Sequence, residues 1–248
     1  MIIVKSPREI DRMRVACRMV AEILQELSGL VSPGITTYEL DHYAECACKK
    51  RKVKPAFKGY GGFPYTICSS PNDTVVHGFA SKKKLCEGDI LSIDFGVYTD
   101  GFYGDAAVTL PVGVISDEDV HLLETTRNSL HAGIAAAVVG ARLSDVSNAV
   151  QTMVEQAGYS VVREFVGHGI GRALHEDPQI PNYGKPGSGP LLKPGMVLAI
   201  EPMVNAGNCG VRVLDDGWTA VTADGSRSAH FEHTIAVTDN GAEILTML

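Results

Sequence analysis

Four carboxylates, Asp94, Asp105, Glu201 and Glu232, lie in two stretches of this chain that repeat one pattern. Leu85-x-x-Gly88-x-x-Leu91-x-Ile93-Asp94 matches Leu192-x-x-Gly195-x-x-Leu198-x-Ile200-Glu201 at an offset of 107 positions. Asp105-x-x-Val108-x-Leu110 matches Glu232-x-x-Ile235-x-Val237 at an offset of 127, so the second copy is about twenty residues longer. Asp100-Gly101 between alternating apolar runs predicts a two-residue hairpin. Facing residues in such a hairpin have numbers summing to an odd value, which puts Asp94 and Asp105 on one face. Glu201 and Glu232 have the same opposite parity and share a face if no bulge intervenes.

Like charges facing each other in a sheet destabilise it unless a cation lies between them. One such pair could be two solvated surface acids. Two pairs related by a duplication are harder to dismiss, because pairing the halves brings all four to a common axis. Ionised and partly buried there, they would repel and raise one another's pKa. Two divalent cations would cancel that charge, and a two-metal site is a recurrent hydrolytic arrangement. A mostly oxygen donor set with one imidazole suits Mn, Fe, Co or Zn.

Eight histidines are available as partners. His42, His121 and His131 fall on expected helices as surface or packing residues. His230 and His233 flank Glu232, either on a strand surface or orienting a ligand. His168 sits in Gly167-His168-Gly169-Ile170-Gly171, where flanking glycines would let the backbone approach a ligand. That run is no dinucleotide fingerprint, since Arg172 occupies the third glycine's place. His175 lacks an H-E-x-x-H partner because position 179 is glutamine, and there is no G-x-S-x-G elbow. A two-metal phosphatase is disfavoured because aromatic and aliphatic residues, not arginines, accompany these groups.

Capping boxes at Ser6-Pro7-Arg8-Glu9 and Thr36-Thr37-Tyr38-Glu39 open two helices, running to Gly29 and about Lys50. Lys54–Pro64 is a glycine-rich loop. Tyr65–Cys68, Val75–Gly78 and Val161–Val166 read as short strands, and Ser81–Lys84 as a solvated lysine turn. Helices are expected over about Asp117–Val139 and on the apolar face of Val146, Val150 and Val154. Pro181–Gly195 is a surface loop. The implied architecture is α+β: two halves, about 1–115 and 116–248, related by a pseudo-twofold axis in a single domain spanning 1–248, with helices covering one side of the sheet.

With 248 residues the chain can bury roughly 70–75% of its unfolded surface. A net charge of −7 argues against a primary nucleic-acid binder. Six scattered cysteines without C-x-x-C spacing read as reduced, buried hydrophobes of a cytoplasmic protein. No signal peptide or membrane span is evident.

At this point the chain closely resembles the methionine aminopeptidases, in the single-domain bacterial type I form of the pita-bread peptidases. The resemblance covers essentially the whole chain. It rests on Val76-His77-Gly78, the Asp94 and Asp105 hairpin, Gly167–Gly171, His175-Glu176, Glu201-Pro202 and Phe231-Glu232-His233-Thr234. It implies a curved, mostly antiparallel sheet and a dinuclear site in which Asp105 and Glu232 bridge the metals. Asp94 would chelate one ion, with His168 and Glu201 completing the other. A metal-bound hydroxide would attack the peptide bond after an N-terminal methionine, when the second residue is small. Glu201 would handle the proton, His175 would stabilise the carbonyl oxygen, and His77 would contact the scissile amide or adjacent backbone. Tyr60, Phe63, Cys68, Leu174 and Trp218 would line the methionine pocket; Phe63 and Leu174 depart from the tyrosine and bulkier aromatic common there. The partners implied are new polypeptide N-termini and a transient ribosome contact, for a monomeric enzyme. No cysteine-rich extension precedes Ser6 and no long insertion separates His168 from Glu201, which sets aside the eukaryotic type I and type II forms. Proline-directed relatives usually carry a further N-terminal domain, and a non-enzymatic peptide-binding scaffold would have lost ligands that are all present here.

Overall fold

The computed structural model describes residues 1–248. Four helices dominate one side of the molecule: α1 (Pro7–Leu30), α2 (Thr37–Arg51), α3 (Asp117–Ala136) and α4 (Leu143–Gln156). The two capping boxes close as expected. Glu9 accepts from the Ser6 amide and Glu39 from the Thr36 amide, both at 2.9 Å, which satisfies N-terminal donors of α1 and α2. α3 ends at Ala136, three residues earlier than periodicity suggests, because the chain turns through Ala137 into a glycine at positive φ, Gly140.

The first hairpin pairs Ile90–Thr99 with Phe102–Pro111. Its turn has Asp100 at φ 50° and Gly101 at φ 81°, the mirror-image turn whose twist suits hairpin strands. The register sets Asp94 opposite Ala107 and Gly96 opposite Asp105, so the two aspartates are diagonal neighbours on one face. In the second half, Val197–Ile200 pairs with Glu232–Thr238, Ile200 facing His233. The same register carried one step sets Glu201 against Glu232. The two hairpins join where Glu232 pairs with Ala107 and His233 with Ala106. That seam joins the two hairpins into one antiparallel sheet.

Each half buries its own helix pair against the outer face. Leu91, Ile93, Phe95 and Val97 pack beneath Val20, Ile23, Leu24 and Leu27 of α1 and Leu40, Ala44 and Ala47 of α2. Leu198 and Ile200 pack beneath Leu122, Leu130, Ile134, Val146 and Val150 of α3 and α4. The alternation that sends these residues outward sends the acids inward. The extra residues of the second copy form short strands at Met203–Asn205, Val211–Val213, Ala220–Thr222 and Ser228–His230, in two three-stranded sheets beside the main one.

Three strand expectations need correction. The strand expected at Tyr65–Cys68 is Cys68–Pro71, displaced because Thr66 and Ile67 instead donate their amides to the buried Asp41 carboxylate. Thr74–Val76 is the short strand placed at Val75–Gly78; it stops before His77, whose φ is 58°. Of the stretch Val161–Val166 only Val161 is strand, as the end of Ser160–Val161, and the glycine run beyond it is itself extended at Gly167–Gly169.

Leu91 and Leu198, equivalent in the two copies, are fully buried. Replacing either with alanine should cost about 2–5 kcal/mol, a loss that urea midpoints would reveal in both variants. A negligible change at one of them would show that the two halves do not share the packing plan.

Candidate metal centre and substrate cavity

Asp94, Asp105, Glu201 and Glu232 all line one cavity of about 270 Å³ on the inner face of the sheet. Donor atoms of Asp105, His168 and Glu232 lie within 4.8 Å of one another, and Asp94 and Glu201 stand beside that trio. His168 rides on Gly167–Gly169, which pairs with Val197–Ile200 and sets His168 opposite Ala199. Its Nδ1–H donates to the Gly169 carbonyl at 2.9 Å, which leaves Nε2 as the lone-pair nitrogen. Nε2 is 3.5 Å from Glu201 Oε1 and 3.6 Å from Asp105 Oδ2, beyond hydrogen-bond range.

The glycines beside His168 are needed for strand packing. A Cβ at Gly167 would stand 2.4 Å from the Ala199 carbonyl, and one at Gly169 would stand 2.1 Å from that of Asp177. They let the His168 strand fit between its two neighbours.

Burial pushes Asp94, Glu201 and Glu232 well above the ordinary carboxylate range, and repulsion from the neighbouring carboxylates adds to it. Asp105 rises to about 7, chiefly by burial, restrained by His175 and the Thr234 hydroxyl. That hydroxyl is 2.8 Å from the Asp105 carbonyl and 3.1 Å from its carboxylate. Burial also lowers His77, His168 and His175 to about 4 and His230 to about 3. These imidazoles are neutral at pH 7, as ligands and neutral hydrogen-bonding groups must be. Asp94 Oδ1 and His230 Nε2 are buried without a hydrogen-bond partner. An unpaired buried carboxylate oxygen beside crowded acids fits a divalent cation, and the oxygen-rich donor set with one imidazole is the right chemistry for it.

The rest of the cavity wall is apolar and aromatic. Tyr60, Phe63, Cys68, Leu174 and Trp218 line it together with His77 and His175. Phe63 packs edge-on against Trp218 at 5.2 Å between centroids, and His77 edge-on against Phe165 at 5.3 Å. Tyr60 Oη is 2.7 Å from His175 Nδ1, and the His175 ring meets His168 at 4.4 Å. His77 holds positive φ, and the following Gly78 is required: a Cβ there would lie 2.2 Å from the Ser69 carbonyl.

Sequence reasoning missed Phe57, Val76, Glu164, Phe165, Val166 and Met203 as lining residues. Val76 stood in a motif without being assigned to the cavity, and Phe57, Glu164, Phe165 and Met203 carry no motif signal. His230 and His233 divide by parity: His230 faces the cavity 3.8 Å from Glu201, while His233 turns to the other side and meets Thr246 at 2.9 Å. Their odd and even numbers beside Glu232 already contained that distinction.

Residues 11–239 match the model of metallopeptidase family M24. Methionine aminopeptidase 1 of Bacillus subtilis is 56% identical, over 99% of this chain and 99% of its own length. The chain belongs to metallopeptidase family M24, among its methionine aminopeptidases. The crystal structure of the Thermotoga maritima methionine aminopeptidase superposes with a TM-score of 0.98 at 52% identity, covering 100% of both chains. Prolidase from Pyrococcus furiosus, at 23% identity, shares the fold with a TM-score of 0.82 over 99% of this chain and 66% of that one. The fold is therefore the pita-bread fold of the M24 peptidases, and the chain is a metallo-aminopeptidase. No helix is long and apolar enough to cross a membrane.

Because burial raises Glu232, the folded metal-free protein holds its proton over a pH range where the unfolded chain has lost it. The associated stability is present at low pH and is lost as pH rises towards the folded pKa. Chelator-treated Glu232→Gln should therefore have a higher urea midpoint than chelator-treated wild type at pH 8, with the advantage shrinking towards pH 4.5. The opposite trend would remove the repulsion account.

Proposed function

We propose that the chain releases N-terminal methionine from new polypeptides whose second residue is small, using two divalent ions held by Asp94, Asp105, His168, Glu201 and Glu232. In this reading Asp94, Asp105, His168, Glu201 and Glu232 would together hold the ions, an oxygen-rich donor set with one imidazole that suits divalent metals. The ions, Co, Mn, Fe or Zn, supply Lewis acidity that polarises the scissile carbonyl and brings the pKa of water towards neutrality.

The observation that carries the proposal is the juxtaposition within one cavity of a carboxylate–imidazole cluster and an aromatic, thiol-bearing slot. An unbranched thioether suits the polarisable walls of Phe63, Cys68 and Trp218, with Tyr60 and Leu174 completing the slot. His175 is neutral, and its Nδ1 is engaged by Tyr60, which leaves Nε2 to meet the substrate carbonyl oxygen. Glu201, in the cavity wall beside the cluster, is the group that in this reading exchanges the proton between the attacking water and the leaving amine. His77, held between Phe165 and Trp218, contacts the amide nitrogen or the backbone next to it. The same reading places the enzyme in the cytoplasm as a monomer that meets the ribosome transiently.

Methionine release from Met-Ala and Met-Lys peptides, with Mn, Fe, Co or Zn added in turn, tests this directly. Met-Ala should be cleaved and Met-Lys spared. Release from neither with any of the four metals would end the proposal. His175→Ala should lower kcat on Met-Ala by about 10²-fold or more. Glu232→Ala should lose both bound metal and activity, and retention of both would overturn its place in the metal site.

A further inference from the structure

Directly after His175 lies a buried ion pair for which the proposed reaction has no use. Glu176 Oε2 is 2.6 Å from Lys5 Nζ, with the two side chains 6% and 2% exposed. Lys5 itself is anchored: its amide donates to the Gly195 carbonyl at 2.7 Å and its ammonium to the Ile3 carbonyl at 3.1 Å. The second Glu176 oxygen accepts from the amides of Arg172 at 2.7 Å and Ala173 at 3.1 Å. One carboxylate thus ties the turn bearing Leu174 and His175 to the segment Ile3–Lys5, which is itself fastened to the second half of the sheet. Gly171 makes room for it: a Cβ there would stand 2.4 Å from Lys5 Cε and 2.8 Å from Glu176 Oε1.

A buried ion pair is an inefficient way to gain stability, since a well-packed apolar pair often serves as well or better. Its other product is a fixed position. We propose that Lys5 and Glu176 are positioning residues for His175, setting the imidazole against the substrate carbonyl from beneath while Tyr60 holds it from outside. This rests on the role given to His175 above. The pair touches neither substrate nor metal, and its effect passes through the Arg172–His175 turn.

A double-mutant cycle separates positioning from general stability. Glu176→Gln keeps an acceptor for the two amides but frees the turn from Lys5. It should lower kcat on Met-Ala about tenfold or more, and less than about twofold in a His175→Ala background. Lys5→Met/Glu176→Gln, which leaves no unpaired buried charge, should show the same pattern with a melting temperature close to wild type. In imidazole ¹H–¹⁵N spectra of these proteins, the His175 resonances should shift or broaden while those of His77 stay put. Equal fold-losses in both backgrounds, or unchanged His175 resonances, would overturn the proposal and leave the pair a stabilising contact. Full activity of His175→Ala alone would instead overturn the catalytic role of His175, and the spectra would still decide whether the pair positions it.

Discussion

The desolvation and crowding of four carboxylates at one cavity, two of them buried and two half-buried, is the constraint on which the rest of this structure depends. Asp94, Asp105, Glu201 and Glu232 are brought together by the seam that pairs Glu232 with Ala107 and His233 with Ala106. Without compensation the arrangement opposes folding: burial raises the pKa of all four, and repulsion from neighbouring carboxylates adds to it at Asp94, Glu201 and Glu232. The fold tolerates it because the opposite face of the same strands buries two apolar helix layers. Stability is generated on one side of the sheet and function is concentrated on the other.

The two hairpins supply different groups to the cluster. The first half contributes two aspartates and much of the aromatic slot, through Tyr60, Phe63 and Cys68. The second contributes two glutamates, His168 and the turn bearing Leu174 and His175. The extra length of the second copy brings Trp218 back across the cavity, where it meets Phe63 of the first half edge-on. The cavity therefore needs both halves, and neither copy of the repeat would enclose a side chain alone.

Strand parity made the inward face of both hairpins legible from sequence, because a period of two admits only two answers and the apolar residues choose between them. The capping boxes and the Asp-Gly turn were equally readable, each being a local hydrogen-bonding or φ requirement. What escaped was set by distant partners. Asp41 takes the amides of Thr66 and Ile67 and displaces a strand. Phe165 and Met203 enter the cavity through loop paths with no period. The glycines around His168 were visible, but their purpose, close packing against Ala199 and Asp177, depends on strands far along the chain. The roles of individual ligands came from family resemblance rather than from spacing.

If the carboxylate cluster is built around cations, binding them must relieve the repulsion that defines it. Calorimetric titration of chelator-treated protein with Mn or Co at pH 7.5 measures this most directly. Two ions should bind per chain, with protons released as the raised carboxylates ionise, and the release should increase as pH is lowered towards 6. Saturable binding without proton release, or no binding at all, would contradict the account.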